Sequence, residues 1–126
     1  MKIKAAITRE AGEIKIETLE LAAPKAGEVL VKVVACGVCH TDASSIKQFI
    51  PARLPMVMGH EGVGIIEEVG ENWKHKYKPG DKFSIQPAHY YNGSLLAPGY
   101  SYPECGGNAQ YCNIPIETLL SDCLLK

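Results

Sequence analysis

Apolar and polar side chains alternate with a period of two along much of the first half of the chain. Lys2-Ile3-Lys4 opens this pattern, and Ile14, Ile16 and the Leu19–Leu21 stretch resume it after Gly12. The strongest run is Glu28-Val29-Leu30-Val31-Lys32-Val33-Val34-Ala35, preceded by Gly27. Period two places Val29, Val31, Val33 and Ala35 on one face of a strand. From His40 to Phe49 the alternation breaks, and the segment reads as a short helix with Thr41 placed to cap its start. Pro51 and Pro55 then turn the chain into a loop. Glu61 to Val69 reads as another strand, in which Gly62 and Gly64 mark bulges or close backbone approach. Pro79-Gly80-Asp81 predicts a turn and Lys82-Phe83-Ser84-Ile85 a short strand. Residues 86–107 hold Pro87, Pro98 and Pro103 with Tyr90, Tyr91, Tyr100 and Tyr102. They read as one irregular loop, long enough to suggest a function of its own. Ala109 to Ile114 predicts a last strand. Short strands separated by Gly and Pro favour a mainly β fold, a barrel or a sandwich.

Composition narrows the classes of function. At 126 residues the chain has the length of one domain, 1–126, and can bury a core. Hydrophobic residues make up 46% and charged residues 21%, ordinary for a soluble globular protein. A net charge of −1 gives no basic footprint, so no nucleic-acid partner is expected. The opening segment carries Lys2, Lys4, Arg9 and Glu10 and lacks the apolar core of a signal peptide. No apolar run approaches a membrane span, so no membrane partner and a cytoplasmic location are the expectation. The five cysteines, Cys36, Cys39, Cys105, Cys112 and Cys123, are an odd number. Without a secretion signal they predict free or metal-bound thiols rather than a disulfide framework.

Two short motifs carry the chemistry. One is Cys36-Gly37-Val38-Cys39-His40-Thr41-Asp42 and the other Gly59-His60-Glu61-Gly62-Val63-Gly64. Thiolate and imidazole are the ligand types zinc prefers, and Asp42 and Glu61 place a carboxylate near each, as metal ligands commonly require. Cys39 and His60 lie 21 residues apart, too far for a short zinc clip, so separate elements must bring them together. Such sites are more often catalytic, since a catalytic zinc takes three protein ligands and keeps one position open. Taken alone, Cys39 would read as a small buried hydrophobe and His60 as a satisfied core histidine; the paired motifs shift both toward ligation. Cys36 reads as a packing residue at a strand end. His75, between Lys74 and Lys76, reads as a solvated surface residue, and His89 as an exposed loop histidine. Gly59, Gly62, Gly64 and Gly70 read as backbone geometry rather than a phosphate loop, because no helix clearly follows them. The loop tyrosines read as packing on the barrel.

These motifs, with Gly27-Glu28-Val29-Leu30-Val31, the stretch Ile65-Ile66-Glu67-Glu68-Val69-Gly70, and Pro79-Gly80-Asp81-Lys82-Phe83, resemble the N-terminal, GroES-like catalytic domain of zinc-dependent medium-chain alcohol dehydrogenases. The resemblance covers residues 1–85 and returns at Gly106-Gly107-Asn108-Ala109-Gln110-Tyr111. The opening Met1-Lys2-Ile3-Lys4-Ala5-Ala6 looks most like the aryl-alcohol branch. The resemblance implies a partly open β-barrel with one or two short helices. It implies Cys39 and His60 as ligands of a catalytic zinc, with Glu61 beside the metal as a neighbour or alternative ligand. Asp42 would orient His60 through its ring N–H. Thr41 would offer its hydroxyl to a substrate oxygen and begin a proton relay. His40 would lie near the cofactor pyrophosphate or further along the relay. The implied reaction is oxidation of an alcohol to an aldehyde or ketone, with hydride passing to NAD or NADP.

Three departures from the family pattern shape the expectation. The Gly-x-Gly-x-x-Gly turn of a nucleotide-binding domain is absent from the chain. Cys123, the last cysteine, stands in surroundings unlike the family's third zinc ligand. Cys105 and Cys112 alone cannot fill a structural site of four thiolates, so no structural zinc is expected. The chain therefore reads as the N-terminal part of a longer dehydrogenase, with an incomplete zinc site and no activity by itself. Its partner is a small alcohol or aldehyde, and copies can associate through an apolar surface meant for the missing half. Two other readings stay open. One is a thioredoxin-like dithiol protein using Cys36 and Cys39. The other is a non-enzymatic GroES-like module, since a fold does not by itself imply catalysis.

Overall fold

A computed structural model describes residues 1–49, 53–97, 99 and 105–126. Strands β1 (Lys2–Thr8) and β2 (Lys15–Glu20) form an antiparallel pair with Ile3 opposite Leu19, and β4 (Met56–Val57) adds to the other edge of β1. The larger sheet is built on β3 (Val29–Gly37). It is antiparallel throughout and runs β10 (Leu124–Leu125), β6 (Lys82–Ile85), β5 (Glu61–Val69), β3, β9 (Tyr111–Ile114). A bridge between Ala5 and Ala109 links the two sheets. They do not close into one continuous barrel, which is the partly open, mainly β form expected.

The core explains why β3 is the most apolar run. Val29 and Val31 face a cluster that includes Ile66, Phe83, Ile114, Leu119 and Leu124. Leu30 faces the other way, onto Ile3 and Leu21. The start of β3 is thus buried on both sides, and strict alternation gives way to a continuous hydrophobic stretch. Shifts of register after Leu30 and Val33 then break the period. Ala35, expected to share one face with Val29 and Val31, is consequently exposed where they are buried.

The helix expected over 40–49 is shorter: α1 spans His40–Ile46. Its cap is Cys39, in extended conformation at φ −120°, and not Thr41, which lies inside the first turn. Asp42 favours this start because its Oδ2 accepts the Cys39 backbone N–H at 2.9 Å, half of a capping box. The 86–107 stretch is not wholly irregular. It contains a hairpin, β7 (His89–Tyr91) and β8 (Ser94–Leu96). Asn92 and Gly93, both at positive φ (49° and 79°), make its two-residue turn. The chain also forms α2 (Ile116–Leu120) before β10. Pro51, Pro98, Tyr100, Tyr102 and Pro103 lie outside the described residues. No helix among the described residues is long and apolar enough to cross a membrane.

Candidate metal centre

The β3–β5 ladder positions the site. Its last rung pairs Gly37 with Glu61. Cys39 follows β3 by two residues and His60 precedes β5 by one, so the antiparallel register delivers both to the same end of the sheet. There the Cys39 Sγ lies 3.4 Å from the His60 Nε2. Glu61 Oε1 faces the same ring nitrogen at 3.8 Å. On the opposite side of the ring, Asp42 Oδ1 stands 3.7 Å from Nδ1, an ion-pair distance beyond hydrogen-bond range. Asp42 thus has one oxygen on the Cys39 backbone and the other facing the imidazole. His60 and Asp42 are buried, Cys39 is half-buried and Glu61 is exposed, so the cluster opens on the Glu61 side.

Gly59 makes this approach possible. Its φ of +105° is one that side-chain-bearing residues rarely adopt, and a Cβ there would lie 2.7 Å from the Asn108 nitrogen. The glycine is therefore backbone geometry, as expected from the sequence.

The donor set fits zinc. With Zn–S near 2.3 Å and Zn–N near 2.0–2.1 Å, a tetrahedral edge between the two donors spans about 3.5 Å. The 3.4 Å separation of Cys39 Sγ and His60 Nε2 matches that edge. Donor atoms of Cys39, Asp42 and His60 all lie within 4.8 Å of one another. Because Asp42 faces Nδ1 while Cys39 and Glu61 face Nε2, Asp42 is placed to orient the ring, and Glu61 stands on the donor side of the ring but outside the converging group.

The remaining candidates separate clearly. His40 is exposed at the first position of α1 and does not belong to the converging group; Thr41, the next residue, is half-buried. Cys123 also lies outside that group, its Sγ donating to the Ser121 carbonyl at 3.2 Å. Cys36 packs at the end of β3, as expected. Burial pushes its thiol up, and the Glu61 backbone N–H offsets this only in part. A reactive dithiol needs the opposite shift. His75 is exposed and stacks on Trp73. His89 corrects the expectation of an exposed loop histidine: it is buried, with Nε2 3.0 Å from Thr118 Oγ1, because the hairpin folds down onto α2. Tyr90 is exposed rather than packed on the sheets, since it occupies the outward position of β7. Sequence reasoning did not find the contact of Cys105 with Cys112. The two are buried together, and the Cys112 thiol, then burial, holds the Cys105 thiol well above the usual range.

An antiparallel, partly open β domain that presents a cysteine–imidazole pair flanked by two carboxylates belongs to the class of domains whose side chains could hold a metal ion. The family model of the alcohol dehydrogenase GroES-like domain matches residues 25–121, and the chain belongs to that family. It is 50% identical over 82 residues to the NDMA-dependent alcohol dehydrogenase of Amycolatopsis methanolica, covering 64% of this chain and 22% of that protein. It is 41% identical over 114 residues to the class-3 alcohol dehydrogenase of Myxine glutinosa, covering 89% and 26%. Among solved structures it is similar to a protein of Sinorhizobium meliloti assigned as a zinc-binding dehydrogenase, in complex with NADP. There the TM-score is 0.84 at 27% identity, covering 94% of this chain and 37% of that one. The chain thus spans about a quarter of the length of these curated relatives. Its fold and sequence are those of the GroES-like domain of the alcohol dehydrogenase family.

Proposed function

We propose that this domain supplies the catalytic zinc site of a zinc-dependent alcohol dehydrogenase, which oxidises a small alcohol to an aldehyde or ketone with NAD or NADP as hydride acceptor. The observation that carries this reading is the 3.4 Å approach of Cys39 Sγ to His60 Nε2 between the Asp42 and Glu61 carboxylates. Cys39 as thiolate, His60 through Nε2 and Glu61 through Oε1 would hold the metal. When bound, zinc supplies Lewis-acid polarisation of an alcohol oxygen, and the nicotinamide accepts the hydride. The chain's own residues do the rest. Asp42 keeps the proton on Nδ1 of His60, leaving Nε2 as the donor. Thr41, next to the cluster at the start of α1, offers its hydroxyl to the alcohol and takes up its proton. His40, exposed beside it, passes the proton outward or faces the cofactor phosphates. The open Glu61 side is where substrate would enter.

In this reading residues 1–126 are one domain of a larger enzyme. The nucleotide fold, the choice of alcohol and the last details of the metal shell are supplied by the remainder, so the domain alone is inactive. The cytoplasm is its expected compartment. The test is NAD(P)-linked alcohol oxidation by the parent enzyme. Cys39→Ser or His60→Ala should reduce it to background while the protein stays folded. Retention of most of the activity in both variants would sink the proposal.

A further inference from the structure

Residues Gly106-Gly107-Asn108 lie just before β9, and the proposed centre uses none of their side chains. They nevertheless touch both elements that carry the pair Cys39 and His60. On the His60 side, the Gly107 N–H donates to the Gly59 carbonyl at 2.9 Å and the Asn108 N–H to the Met58 carbonyl at 3.0 Å. Asn108 Oδ1 lies 2.8 Å from where a Cβ on Gly59 would stand. A Cβ on Gly106 would overlap the Val57 carbonyl oxygen. On the Cys39 side, Gly107 rests on the Cys36–Gly62 rung of the β3–β5 ladder. A Cβ there would stand 2.6 Å from Cys36 Sγ and 3.5 Å from the Gly62 Cα. From behind, the segment is tied to β1, since the Ala6 N–H donates to the Asn108 carbonyl at 2.8 Å.

Met58 and Gly59 belong to neither β4 nor β5, so strand pairing does not fix the backbone that presents His60. The hydrogen bonds from Gly107 and Asn108 do. We infer that Gly106–Asn108 is a positioning clamp that sets the gap between Cys39 Sγ and His60 Nε2, an inference that rests on reading that pair as metal ligands. A clamp of bare backbone is required because any Cβ at Gly107 would wedge against the strand leading to Cys39.

Gly107→Ala tests this directly, with Gly107→Ala/Cys36→Ala as the rescue, because removing the sulfur vacates the space the new methyl needs. Val69→Ala, at the far end of β5, is the control for general loss of stability. Each protein is loaded with Co(II), its affinity is measured by chelator competition, and its thiolate charge-transfer and ligand-field bands are recorded. The clamp predicts cobalt binding weakened 10–100-fold in Gly107→Ala with altered bands, both returning toward wild type in the double variant and unchanged in Val69→Ala. A folded Gly107→Ala with wild-type affinity and bands overturns it, as does an equal loss in Val69→Ala. The His60 ring resonances of the metal-free proteins provide a second reading. If the wild type takes up no cobalt, the proposed metal centre fails. The clamp is then decided by these signals, which should shift in Gly107→Ala and return in the double variant; an unmoved signal overturns it. If Gly107→Ala does not fold, Asn108→Ala decides by the same measurements. It keeps the backbone bonds and loses the packing on Gly59, with an affinity loss of several-fold expected and none contradicting the clamp.

Discussion

At the scale of single residues, His60 is the most constrained side chain of the site. Its Nε2 meets Cys39 and Glu61 while its Nδ1 faces Asp42. Asp42 is buried, and its two oxygens serve the Cys39 backbone and the imidazole. Asp42→Asn should therefore keep the helix cap, since an amide oxygen still accepts the Cys39 N–H, but lose the charge that holds the ring proton. Zinc affinity is expected to fall roughly 10–100-fold, measured by chelator competition. A fall of less than twofold would show that His60 is oriented by other groups. Cys39, Asp42 and His60 were legible in the sequence because each stood in a short motif with a ligand-type neighbour. His89 was not. Nothing in His89-Tyr90-Tyr91 signals that a hairpin will press the imidazole against Thr118, a contact made by chain 29 residues away.

At the scale of elements, β3 and β5 form the frame that carries Cys39 and His60. Ile66 is almost fully buried within that frame, whereas Ile16 on β2 is 71% exposed. Ile66→Ala is expected to cost roughly 2–5 kcal/mol, because it removes apolar contacts and leaves a cavity. Ile16→Ala should stay within about 0.5 kcal/mol. Urea unfolding of both variants checks the ranking; equal losses would contradict the core assignment. These strands were readable from their apolar runs. Ala35 departs from the face it shares by period with Val29 and Val31 because two register shifts interrupt β3, and shifts depend on the partner strand rather than on local sequence. The hairpin at 89–96 did carry a local signal, Asn92-Gly93, the dipeptide that favours the backbone twist of a two-residue turn. Prolines and tyrosines on either side obscured it. The cap at Cys39 rather than Thr41 follows from Asp42 reaching back three residues, which Thr41 could not match from inside the turn.

At the scale of the whole molecule, buried thiols tie stability to pH. The folded state raises the Cys105 thiol well above its ordinary value, first through the Cys112 thiol and then through burial, and burial raises Cys36 and Cys123 as well. A group whose folded value is raised gives stability that is complete below its unfolded value, near 9.0 for these thiols. That stability is lost as pH rises through the folded value. The metal-free domain is therefore expected to weaken above about pH 9, by at most about 1.4 kcal/mol per pH unit for one thiol. Cys105→Ala should begin less stable, because it leaves a cavity, yet show a shallower alkaline slope. Urea midpoints between pH 8 and 10.5 would show it, and a slope unchanged by the substitution would remove Cys105 as its source.

Whether Cys39 and His60 are zinc ligands is tested most directly by elemental analysis of zinc per chain on the purified parent enzyme, with Cys39→Ser alongside. About one zinc per chain in the wild type, lost in the variant, is the predicted result. A folded wild type that takes up no zinc, or a variant that keeps its zinc, would contradict it.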